Sequence, residues 1–164
     1  MNIYNPTYTK GINKAEPIIF LAGPIVNAND WQSIILRYFD KLSKMDNSIK
    51  FNIANPRLNN NLLDRTEQVN WESRFLNYAG NNGIILFWLA NEITHDCHRS
   101  FARTTRFELG EWLAKSMDNV MIGIDSHFDG KEYIQLRLKQ MNYKYNVHDN
   151  LKDLAIDTFK QLKK

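Results

Sequence analysis

Residues 83–90 read Gly-Ile-Ile-Leu-Phe-Trp-Leu-Ala, a continuous apolar run between turn-forming residues. A run this short, rich in isoleucine and aromatics, is a strand buried on both faces, and such strands belong to parallel sheets covered by helices on either side. Pro17–Ala22 repeats the pattern and stops at Gly23-Pro24, while 49–54 and 119–124 are weaker versions closed by Asn55-Pro56-Arg57 and Asp125-Ser126. Between the runs lie segments of helical periodicity. Asp30 is a natural N-cap for a helix carrying Trp31, Ile34, Ile35, Tyr38, Phe39 and Leu42. Residues 68–79 form a second helix, with Val69, Phe75, Leu76 and Ala79 on its inner side. A third runs from about Thr105 to Met117 and presents Phe107, Leu109, Trp112 and Leu113; two more lie near 131–140 and 149–162. Tyr143–Val147 offers a short fifth strand, residues 1–16 form a polar lead-in, and 59–65 a loop.

Strands alternating with helices predict an α/β fold: an open, doubly wound parallel sheet of four to five strands with helices on both faces. The chain has 164 residues, enough for a single domain spanning 1–164 that needs no covalent staple. Its lone cysteine, Cys97, permits no internal disulfide, and the polar start has no signal-like apolar stretch; a cytoplasmic protein off the membrane is expected. The net charge of +3 is scattered rather than striped, which suits small anions better than a nucleic-acid polymer. No G-x-G-x-x-G, Walker A loop or G-x-S-x-G elbow is present, so dinucleotide oxidoreductases, P-loop nucleotidases and serine hydrolases lose ground.

In an open parallel sheet, ligands bind beyond the carboxyl ends of the strands where strand order reverses. Candidate residues are those that fall there. Glu108 has two readings. As the last member of Thr105-x-x-Glu108 it closes a capping box; as a carboxylate beside the third strand's end it can attack an anomeric carbon. Gly110, unfavourable inside a helix, suggests close approach to that backbone. Trp71-Glu72 is a core anchor beside a solvent-facing acid, or, if its helix leans over the crevice, places Glu72 against a leaving group. Gly23, Pro24, Ile25, Asn55 and Arg57 are turn residues that would also line a pocket. His95-Asp96-Cys97-His98-Arg99 packs its potential ligands too closely for one tetrahedral metal ion and reads as a polar lid. Arg99, Arg103 and Arg106 are either an anion clamp in that lid or a solvated basic face. The aromatics Phe107, Trp112, Trp31, Phe75 and Trp88 exceed what one crevice needs, so a homodimer or larger assembly is expected.

Taken together, Ile19-Phe20-Leu21-Ala22-Gly23-Pro24-Ile25 with Trp31, Asn55-Pro56-Arg57, Val69-x-Trp71-Glu72, Leu86-Phe87-Trp88-Leu89 and Arg106-Phe107-Glu108-Leu109-Gly110-Glu111 resemble the nucleoside 2-deoxyribosyltransferase-like family over about 18–123. The resemblance implies a flavodoxin-like sheet and cleavage of the bond between sugar and base, with Glu108 forming the covalent sugar intermediate and Glu72 the nearest candidate for handling the base. It implies Gly23, Pro24, Ile25, Asn55, Arg57, Trp71, Arg103 and Arg106 around the substrate, and no cofactor or metal. The partners would be a nucleoside or nucleotide and a free nucleobase. Six positions before Glu108 the sequence departs from the family, with Ala102 where an acidic or serine residue is usual. Two rivals accompany this reading: a hydrolase of the same fold acting on nucleotides or NAD-like molecules, and a non-catalytic nucleotide-binding module in which Glu108 only caps its helix.

Overall fold

The computed structural model describes residues 1–7, 12–13, 15–58 and 64–163. Five strands, β1 (Ile3–Tyr4), β2 (Ile18–Ala22), β3 (Asn52–Ala54), β4 (Gly83–Leu89) and β5 (Val120–Ile124), form one parallel sheet in the order β1-β3-β2-β4-β5. The helices are α1 (Trp31–Met45), α2 (Arg65–Asn81), α3 (Arg103–Ser116), α4 (Lys131–Gln140) and α5 (Leu151–Gln161). This is the doubly wound arrangement that the alternating runs predict, and it is flavodoxin-like.

The period of two within each apolar run explains the layers. Phe20, Ala22, Ile85, Phe87, Leu89 and Ile122 pack against α2, α3 and α4, while Ile19, Leu21, Leu86, Trp88 and Met121 pack against α1 and α5. Every residue of β2 is buried, and each large aliphatic contributes about 1.5–3 kcal/mol by leaving water. α1 buries Trp31, Ile35 and Phe39, one turn apart; Ile34 is exposed. From β2 the chain pairs first with β3 on one side and then crosses to β4 on the other. Strand order therefore reverses at β2, and the crevice opens beyond Ala22 and Leu89.

The fifth strand is not where periodicity suggests. Ile3–Tyr4, within the expected polar lead-in, pairs with β3, and Tyr4 is buried against Phe75. Tyr143 and Tyr145 instead spend their hydroxyls on the carbonyls of Val120 and Asp118, at 2.9 and 2.8 Å, so their segment braces β5 rather than extending it. One bridge, Gly123 to His148, is all the strand pairing found there among the described residues. α2 begins at Arg65, inside the expected loop, because Asp64 caps it by accepting from the Thr66 amide at 2.9 Å; most of that loop (59–63) lies outside the described residues. The aromatic surplus is core: Trp31, Phe75, Trp88 and Trp112 are buried, leaving Phe107 exposed. The oligomer expectation loses that support. No helix among the described residues is long and apolar enough to cross a membrane.

Candidate active site

A cleft of about 1040 Å³ lies at the carboxyl edge of the sheet, over the reversal at β2. Its floor is the end of β2 with Gly23, Pro24 and Ile25; its walls are the first half of α2 and the first two turns of α3, with residues 98–102 at one end. Glu72 on α2 and Glu108 on α3 both line it.

The floor is held from behind. A Cβ at Gly23 would lie 2.4 Å from the Trp88 carbonyl oxygen and 2.7 Å from the Trp31 ring, so glycine is demanded there by packing. Trp31 Nε1 donates to the Pro24 carbonyl at 2.9 Å. Arg57 Nε donates to Gln32 Oε1 at 3.0 Å, and its guanidinium also reaches the Asn29 and Ile25 carbonyls at 3.3 and 3.5 Å and the Asp30 carboxylate at 3.2 Å. Burial alone would raise the Asp30 pKa; the Ser33 hydroxyl and amide, with Arg57 and Arg37, outweigh it and hold the group below its usual range. Arg57 is thus a brace for the β2–α1 loop and stands outside the cleft lining. Asn55 sits beside it, accepting from the Arg57 amide at 3.1 Å, and also lies outside the lining.

α3 starts differently from the expected capping box. Its N-cap is Ala102, in the left-handed region at φ 55°, and no side chain caps the first-turn amides. Thr105 is already inside the helix and buried, and the Arg106 amide donates to Ala102 O at 2.9 Å. Glu108 is therefore too far into the helix to close a box, which removes its purely structural reading. It faces the cleft instead. Burial first, then the charges of Glu72 and Glu111, push its pKa up to about 7. Burial also raises Glu72, partly opposed by the Gln68 amide that donates to Glu72 Oε1 at 2.9 Å. Glu111 forms an ion pair with Lys115. Two carboxylates from different helices, both biased towards protonation, share one site. Like charges at such a site resist simultaneous ionisation, and the negative charge of Glu72 is one of the causes that raise Glu108.

No family model matches this chain, and no curated protein matches it.

The remaining expected site residues divide on geometry. Arg103 lines the cleft; Arg106 turns away, donating to the Asp129 carbonyl at 2.9 Å with its guanidinium 4.6 Å from the Phe128 ring centroid. Trp71 is a core anchor, its ring 4.3 Å from that of Phe75. Gly110 has open space where a side chain would stand, so none of the described residues approaches that backbone closely. Val69, placed by spacing on the inner side of α2, is exposed and lines the cleft together with Phe107. Among the described residues no group of three or more His, Cys, Asp or Glu is arranged for a metal; His95 contacts Glu92, and Cys97 is exposed. Sequence reasoning passed over Arg65 and Gln68, both in the cleft. Asp64-x-x-Glu67, a helix-start signature, was the available signal for the first.

Proposed function

We propose that this protein cleaves the N-glycosidic bond of a (deoxy)nucleoside or nucleoside 5′-monophosphate through a covalent sugar–enzyme intermediate on Glu108, and passes the sugar to a second base. The observation that carries the reading is the pairing of Glu108 and Glu72 across one cleft at the switch point of the sheet, with Glu108 titrating near neutrality.

In the first step an anionic Glu108 oxygen bonds to the anomeric carbon while the bond to the base nitrogen breaks, its electron pair leaving with the base. A proton on Glu72 reduces the cost of that leaving group. In the second step a nitrogen of the incoming base displaces the glutamate oxygen and loses its own proton to Glu72. Repulsion between the two carboxylates disfavours both being ionised at once. A 2-deoxy sugar lacks the electron-withdrawing 2′-hydroxyl, so its oxocarbenium-like transition state forms more readily. The family resemblance points the same way.

Intact-mass analysis after brief exposure to a panel of nucleosides and 5′-monophosphates tests the proposal. The wild type should gain one sugar mass with a competent donor and exchange bases in the presence of a second base. Glu108→Gln should fold normally, show no adduct and turn over at least ~10³-fold more slowly, because an amide has no anionic oxygen to attack with. Glu108→Gln with wild-type turnover would remove the nucleophile assignment, and a panel yielding neither adduct nor free base would remove the reaction class.

A further inference from the structure

The cleft holds cations that its carboxylate chemistry leaves unused. Arg65 at the start of α2, Arg99 before α3 and Arg103 at its first residue all line the cleft, and none of the three guanidiniums has a hydrogen-bond or ion-pair partner among the described residues. Arg106, which has such partners, is outside it. Two further observations point to a ligand at this end. The amides of the first turn of α3 have no side-chain cap, leaving the positive end of a 14-residue helix open. Thr105, only 2% exposed, lines the cleft with a hydroxyl that has no hydrogen-bond partner among the described residues.

We propose that Arg65, Arg99, Arg103 and the first turn of α3 with Thr105 form a subsite for the phosphate of a nucleotide, making the sugar donor a nucleoside 5′-phosphate rather than a free nucleoside. The inference rests on Glu108 as the residue that meets the anomeric carbon. Thr104 and Thr105 precede Glu108 by four and three residues, so all three lie on one helical face. The separation along the axis is about 6 Å at 1.5 Å per residue. In a nucleoside 5′-phosphate the phosphate is separated from the anomeric carbon by the furanose ring and one methylene ester, a reach comparable to that single turn. Charge is sorted along the same axis. Arg99 and Arg103 stand at the start of α3, where its dipole also favours an anion, and Arg65 at the start of the facing α2, while Glu108 and Glu111 come a turn or more later along α3. A phosphate seated at the start is thereby kept clear of the carboxylates, and the sugar is delivered to Glu108.

Calorimetric titration of Glu108→Gln, which binds without turning over, with a 2′-deoxynucleoside, its 5′-monophosphate and inorganic phosphate tests the subsite. The monophosphate should bind at least about tenfold more tightly than the nucleoside. Adding Arg103→Gln or Arg65→Gln should remove most of that preference by weakening the monophosphate far more than the nucleoside; Thr105→Val should reduce it, and Arg106→Gln should keep it. Equal affinity for nucleoside and monophosphate would overturn the proposal. So would an equal loss with Arg106→Gln, or inorganic phosphate binding as tightly as the nucleotide, which would mark a site for the free ion. A protein that prefers the monophosphate but forms no sugar adduct would refute the glycosyl-transfer reading and leave the subsite standing.

Discussion

Two of the helices that begin at the carboxyl edge of this sheet, α1 and α3, begin in opposite ways. α1 is closed. Asp30 caps it, accepting from the Ser33 amide at 3.2 Å, Arg57 ties the preceding loop and Gln32 of α1 through four contacts, and Trp31 reaches back to the Pro24 carbonyl. α3 is open: a left-handed Ala102, no side-chain cap, and arginines with nothing to bind among the described residues. Folding alone rewards the first arrangement, since an unsatisfied helix start forgoes about 1 kcal/mol that a capping side chain would supply. The second is what a protein leaves when a ligand is meant to complete the helix start.

The comparison can be broken most visibly by pH, through Glu108 on the open helix. Its folded-state pKa of about 7 lies above its ordinary 4.5, so between those values the folded protein keeps a proton that the unfolded chain has released. Stability therefore falls as pH rises from about 4.5 and levels off above about 7, a loss of about 2–3 kcal/mol. Glu108→Gln cannot titrate; in denaturant titrations it should match the wild type near pH 4 and exceed it by about that amount at pH 8. A wild type whose stability is flat over this range would show that Glu108 does not sit in the environment described. In the same protein kcat/KM should climb with pH and flatten near 7 as the nucleophile ionises; a fall over that range would make Glu108 an acid instead.

On the closed side, Arg57→Ala should cost about 2 kcal/mol in urea unfolding, because it strips the loop of its brace and orphans the buried Gln32 amide. The smallest effects give the sharpest contrast. Asp30→Ala should lose about 1 kcal/mol with its cap, whereas Arg103→Gln, lacking intramolecular partners, should change stability by less than about 0.5 kcal/mol. If Arg103 proved as costly as Arg57, the open start would be a structural element after all.

What could be read in advance follows the same division. The strands β2 and β4 and the helix over 131–140 were legible because burial on both faces, or simple periodicity, decides them. So was the crevice, since its position is a property of parallel topology. Local patterns failed wherever a distant partner outbid them. Thr105-x-x-Glu108 is a sound capping signature, yet the chain turned at Ala102 and carried both residues inside the helix. Arg106 looked equivalent to Arg103 until Asp129, from the segment before α4, drew it away. Ile3–Tyr4 is too short to carry a strand period, and its pairing comes from the edge that β3 exposes.

Gly23 carries a consequence for how such a site can change. Its backbone is wedged between a strand carbonyl and an indole from the opposite layer, with no room for even a methyl group. One side of the ligand space is therefore frozen for lineages and engineers alike. New substrate preferences would have to be written on the two facing helices, at positions such as Val69, Ser73, Thr104 and Phe107, where side chains border the cleft and stand exposed. A mutational library confined to those positions should yield folded, altered catalysts, and one directed at Gly23 should yield mostly insoluble protein.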